Sequence, residues 1–248
     1  MSLFRTILFV AALAGIGAGL VGSAIHLFTT APLILKAETF ENAAEEAPAV
    51  AMAQGAVQGA VQEHDHAPGA AAHTHDAEEW SPTDGLQRNG LSVIFSVLTG
   101  FGFALLLVAA SEVAGGLKGW HQGLLWGLAG FAAFTLAPGL GLPPELPAMP
   151  AADLATRQIW WTATVAATSG GLALLVFGRS ALLAVLGAAL ILAPHVVGAP
   201  QPASYETPIP EALHHSFVVA SIGASFVLWV LIGGLAGWLR PRFGAPAA

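Results

Sequence analysis

The chain has no cysteine, one tyrosine and very little charge: Lys and Arg number 8, Asp and Glu 15, together 9% of 248 residues. Without cysteine there is no disulfide, no thiolate zinc site, no iron–sulfur cluster and no cysteine nucleophile. A soluble globular domain carries about a quarter charged residues, so this scarcity argues against a soluble enzyme. The formal net charge of -7 excludes a basic nucleic-acid binder on electrostatic grounds, and no nucleic-acid partner is expected. The phosphate loop G-x-x-x-x-G-K-[ST], the His-Glu-x-x-His pair and the Gly-x-Ser-x-Gly elbow are also missing. Asp153 is the only aspartate after Asp84, and Glu112 is the only carboxylate inside an apolar run. An intramembrane enzyme lacks the paired acid and base it would need, so no catalysis is expected.

What is present is length of apolar chain. The residues are 55% hydrophobic and the mean hydropathy is +0.70. A bilayer core takes about 20 apolar residues per helix, and six runs approach that length: Leu3–Phe28, Leu91–Glu112, His121–Pro138, Ile159–Phe177, Ser180–Gly198 and Leu213–Leu239. They predict an all-α, polytopic membrane bundle of about six transmembrane helices. Five remains open if Gly178-Arg179 is a kink or one short run is re-entrant. Arg5 followed by an apolar stretch also resembles a signal peptide. The weak cleavage-like Gly22-Ser23-Ala24 and the apolar residues beyond it favour a retained helix. Three parts are expected: a first transmembrane helix (1–35), a His- and Ala-rich outer loop, largely disordered (36–90), and a helical bundle of about five spans (91–248).

Orientation follows from the bias of basic residues towards cytoplasmic loops. With the N-terminus inside, Arg5, Lys118, Arg179, Arg240 and Arg242 fall inside and Lys36, Arg88 and Arg157 outside. Both termini are then cytoplasmic and the long polar loop is periplasmic. Its middle, Ala43–Ala72, is rich in Ala, Gly, Gln and Pro and lacks aromatics, a composition that favours disorder. Pro138–Arg157 and Ala199–Glu211 are proline-punctuated connections. Glycines four apart (Gly15/Gly19, Gly119/Gly123/Gly127, Gly233/Gly237) mark faces for close helix packing in lipid.

The densest chemistry lies in the long loop. Glu63-His64-Asp65-His66 and His73-Thr74-His75-Asp76 interleave imidazoles with carboxylates. Neutral imidazole with oxygen donors suits divalent zinc, copper, nickel and cobalt. His64, His66, His73, His75, Asp65 and Asp76 are therefore candidate ligands, set against the reading of a soluble tether or a mere metal reservoir. A second group stands at the expected outer mouths of the spans: His26, Glu38, Glu41, His195, His214 and His215, with Glu206 and Glu211 nearby. Ionisable groups at membrane depth are costly and tend to be functional, although helix-end residues also snorkel to the interface. His214/Ser221/Ser225 and Trp161/Thr164/Thr168 form polar stripes that would line a path or bond helix to helix, and Glu112, Lys118 and His121 would make an inner exit or a solvated loop.

Several segments resemble a known family. Leu3-Phe4-Arg5 through Gly15-Ile16-Gly17-Ala18-Gly19, Pro32-Leu33-Ile34-Leu35-Lys36-Ala37-Glu38 with Glu41, Arg157-Gln158-Ile159-Trp160-Trp161 and Pro194-His195-Val196-Val197-Gly198-Ala199-Pro200 are similar to CbtA-type cobalt transporter subunits. The resemblance covers nearly the whole chain. It implies a bacterial inner-membrane protein that takes up cobalt for cobalamin synthesis, with a small, histidine-rich, single-span CbtB-type partner. The family is described with about five spans against the six counted here, and the resemblance carries over no site residues. Side-chain chemistry alone admits nickel or zinc equally; cobalt comes from the resemblance. The alternative is a membrane-anchored metal-binding or assembly module that conducts nothing. No prosthetic group is expected.

Overall fold

A computed structural model describes residues 2–58, 82–83 and 85–243, with the backbone alone for 45–58. Helices α1 (Leu3–Phe28), α2 (Thr30–Gln58) and α3 (Leu86–Val113) lead to a rod made of α4 (Trp120–Phe131), a π-helical turn (Ala132–Leu136) and α5 (Ala137–Gly141). Then follow α6 (Leu154–Phe177), α7 (Ala181–Val197) and α8 (Glu211–Phe243). Among the described residues there is no strand. In hydrocarbon a helix satisfies its own backbone, which is why apolar runs of this length adopt no other form.

Local chemistry sets the helix ends. The Asp153 carboxylate accepts the Thr156 N–H at 3.0 Å to start α6, and the Ser180 hydroxyl accepts the Leu183 N–H at 3.3 Å to start α7. Pro138 has no N–H for the carbonyl a turn earlier and would crowd it in a regular α-helix. The π turn just before it widens the rod where that bond is missing.

Five helices are long and apolar enough to cross a membrane: α1, α3, the Trp120–Gly141 rod, α6 and α8. The remaining expected span, Ser180–Gly198, is α7, a shorter apolar helix of 17 residues, about 25 Å long at 1.5 Å per residue. It runs antiparallel to α6. A Cβ on Gly171 would lie 2.6 Å from the Gly187 carbonyl oxygen. Trp160, near the start of α6, donates its indole N–H to the Pro194 carbonyl, near the end of α7, at 3.2 Å. Thus α7 returns the chain to the end where α6 began, and α8 starts from there.

Glycine seams set the packing of the other helices. Gly19 backs onto Val97 and Gly100 onto Gly15, with would-be Cβ distances of 2.6 Å to the Val97 Cα and the Gly15 carbonyl oxygen, so α1 and α3 are antiparallel. Gly123 and Gly127 oppose Gly233 and Gly237 in the same way on α4 and α8. Val10, Ala11, Ala14, Ala18, Ala104, Val108, Ile232 and Ala236, all fully buried, form the core of this four-helix unit. α1 supplies four of them, so the first apolar run is a structural member of the bundle. Many large apolar side chains, Phe95, Leu125, Ile159 and Val185 among them, remain exposed on the outer helix faces, as lipid contact requires.

One expected boundary is corrected. The outer loop was to begin near Lys36, yet α2 is helical from Thr30 to Gln58. Pro32 falls in its first turn, where a missing N–H costs nothing, and the following Ala and Glu residues are good helix formers. Tertiary packing adds to this propensity: Leu33, Ile34, Ala37 and Phe40 pack against Leu146, Ile209, Leu213 and Phe217. The Thr207 hydroxyl also donates to the Ala148 carbonyl at 3.2 Å, tying the two proline-rich connections together. The start of α2 therefore roofs one end of the bundle.

Candidate functional site

The antiparallel order gathers the end of α1, the starts of α2, α3, α6 and α8, and the ends of α5 and α7 at this roofed end. His26, Glu38, Glu41, His195, His214 and His215 all belong to it, which is the common side that the sequence predicts. A shared side is not a shared site. Among the described residues, no three His, Asp or Glu side chains are grouped to hold a metal ion. The tract holding His64, Asp65, His66, His73, His75 and Asp76 lies outside the described residues.

Each mouth residue has its own surroundings. The Glu38 carboxylate pairs with both terminal nitrogens of Arg88, one at 3.1 Å. This fork-to-fork geometry gives Glu38 an arginine partner. Glu145 pairs with Arg157 at 2.8 Å. Glu41 is half-buried, while Glu206, Glu211 and His215 are exposed. His214 reaches the Pro144 carbonyl with Nε2 at 3.1 Å. A carbonyl only accepts, so Nε2 carries the proton and, in the neutral ring, Nδ1 keeps the lone pair. His195 is half-buried beside the Trp160 ring, at 6.0 Å between centroids in an edge-on arrangement.

His26 lines a cleft of about 430 Å³ with Pro82, Arg88, Leu91, Ser92, Phe95 and Ser96. Its Nδ1 lies 2.5 Å from the Thr30 hydroxyl oxygen, and that oxygen also lies 3.2 Å from the His26 carbonyl. A hydroxyl has one hydrogen. When it donates to the carbonyl, as helical threonines commonly do, Nδ1–H donates to the hydroxyl oxygen and the Nε2 lone pair is left free. Thr30 was not singled out in the sequence, although its i+4 spacing from His26 is the signal that would have found it.

At the opposite end Glu112, which the sequence offers for an inner exit or a solvated loop, is tied to Arg240 by two bonds of 2.5 and 2.9 Å. His121 is exposed and stacked on Trp120. The α6 stripe is also revised, since Trp161 is 38% exposed and Trp160 is the buried tryptophan. Thr164 donates to the Trp160 carbonyl at 2.8 Å within its own helix. The Thr168 hydroxyl is buried without a partner.

The whole of this arrangement, from α1 to the Glu112–Arg240 pair, falls within one family pattern: residues 4–240 match that described as probable cobalt transporter subunit (CbtA). The chain belongs to the CbtA family. No curated protein and no solved structure matches it. CbtA membership and the apolar helices together make this a multi-pass membrane protein of a transporter-subunit class, which is not a class of enzymes. A CbtA protein is a subunit, so a partner component is implied.

Proposed function

We propose that this chain is the membrane subunit that moves divalent cobalt inward across the bacterial inner membrane for cobalamin synthesis, in company with a small histidine-rich CbtB-type partner. Six apolar helices cross, both termini are cytoplasmic, and the roofed end faces the periplasm. The His64–Asp76 tract gathers the ion, and His26, His195, His214 and His215 with Glu41 pass it on. Co²⁺ takes mixed nitrogen and oxygen ligands, as do its competitors nickel and zinc. The membrane potential is worth about 4.6 kcal/mol for an inward dication at 100 mV.

Beyond the family itself, the observation that carries this reading is His26. Its Nδ1 is held by the Thr30 hydroxyl and the residue lines a cleft; an outer hydrogen bond of this kind orients a metal-binding imidazole. In cells depleted of other cobalt uptake, His26→Ala abolishes saturable ⁵⁷Co²⁺ accumulation. Thr30→Val leaves the imidazole in place but unoriented, and weakens half-saturation by about tenfold, as loss of such a partner does. Wild-type accumulation by both variants at equal membrane abundance would remove His26 from the path.

A second reading, a membrane-anchored metal-binding or assembly module, is favoured by the lack of any three-donor cluster among the described residues. It differs in one outcome: the His64–Asp76 tract would bind cobalt while changes at His26, His195 and His214 left metal entry untouched.

A further inference from the structure

The end of the bundle away from the roof carries a second, unrelated chemistry. Arg5, Lys118, Arg179, Arg240 and Arg242 all lie at this end, by the helix order given above. Among the described residues, Glu112 is the one carboxylate there, and Arg240 occupies it. Among the described residues, the other four cations have no acid beside them. Two of the four, Lys118 and Arg242, are exposed where the start of α4 meets the end of α8. At that junction a Cβ on Gly237 would lie 2.6 Å from the Gly119 carbonyl oxygen.

The seam glycines also fix which way their neighbours point. Successive helical residues turn by about 100°, in opposite senses on two antiparallel helices seen from one end. Trp120, three residues before the seam glycine Gly123, and Trp238, one after Gly237, therefore fall on the same side of the seam, half exposed at 50% and 48%. Arg242 lies one turn beyond Trp238. Its guanidinium sits 3.9 Å from the Trp238 ring centroid and donates to the Trp238 carbonyl. That contact holds the guanidinium on the Trp238 indole, beside the notch that the α4–α8 seam leaves between the two tryptophans. His121 stacks on the Trp120 ring.

We infer that this notch binds the headgroup of an anionic phospholipid. Indole rings favour the level of the membrane interface, an immobilised guanidinium and a nearby ammonium suit a phosphodiester, and the apolar seam continues towards the acyl chains. A zwitterionic lipid offers the same phosphate but brings its own cation against Lys118 and Arg242. The site requires a membrane-embedded chain and does not depend on which ion the chain carries.

The test uses the full chain in detergent, exchanged into equimolar phosphatidylglycerol and phosphatidylcholine, with bound lipid counted by native mass spectrometry. The wild type retains phosphatidylglycerol in preference. Lys118→Gln with Arg242→Gln lowers that preference by on the order of tenfold, since each basic residue near a membrane surface is worth about a fivefold gain in anionic-lipid binding. Arg179→Gln removes a cation from the same end but away from the notch, in the α6–α7 turn, and keeps the preference. Trp238→Leu lowers it without a change of charge. An unchanged preference in the double variant, or an equal fall in Arg179→Gln, would overturn the site in favour of diffuse attraction. Displacement of the lipid by millimolar inorganic phosphate would overturn the lipid as its occupant.

Discussion

Gly123→Val should fail to yield a monodisperse protein, while Gly223→Val on the same bundle should purify as the wild type does. A side chain on Gly123 would place its Cβ 2.7 Å from the Gly237 Cα, and the obstacle is backbone that cannot rotate away. Relief requires α4 and α8 to part along their whole seam. In lipid there is no hydrophobic gain to draw them together by another face, so the loss exceeds about 4 kcal/mol, beyond the ordinary range for one substitution. Gly223 has no atom within 4 Å of a would-be Cβ and is exposed, which makes it a control for the loss of a glycine as such. Size-exclusion profiles and thermal unfolding midpoints in one detergent decide the matter. Equal behaviour of the two variants would mean that α4 and α8 do not meet at this seam.

Glu112→Ala should destabilise the chain by about 2–3 kcal/mol, the scale of two charge-assisted hydrogen bonds lost with a charge left behind. The pair joins the end of α3 to the end of α8 with side chains 14% and 17% exposed, so solvent screens it only in part. Arg240→Gln should cost a similar amount. Glu112→Gln with Arg240→Gln should recover part of the loss, because neutral amides bond to each other without a stranded charge. Unfolding midpoints of the three variants check this. An additive double variant, with no recovery, would contradict a coupled pair.

These cases show what a linear sequence can and cannot express. Helix length and apolarity are imposed by the bilayer residue by residue, so Leu3–Phe28 is legible to its ends, and Ser180–Gly198 agrees with α7 to within a residue at each end. The α2 helix was not legible. Its Ala-, Gln- and Gly-rich composition argued for disorder, while its first turns are held by Leu146, Ile209, Leu213 and Phe217 from far along the chain. The site shows the same divide. His26 stands out because a histidine at the end of an apolar run is costly, and its Thr30 partner is local. Nothing near Glu38 in sequence reveals its partner Arg88, 50 residues away. Glu112 and Arg240 are 128 residues apart and were equally invisible as a pair.

Transport of the ion through the bundle is the central claim, and ⁵⁷Co²⁺ entry into proteoliposomes tests it most directly. The full chain would be reconstituted with the proposed small single-span partner under an inside-negative potential, with nickel and zinc as competitors. The account predicts saturable cobalt entry, lost in His26→Ala and reduced in His195→Ala and His214→Ala, while the His64–Asp76 tract still binds the metal. Tight cobalt binding to that tract with no entry under any potential would contradict it and leave the chain a membrane-anchored metal-binding module.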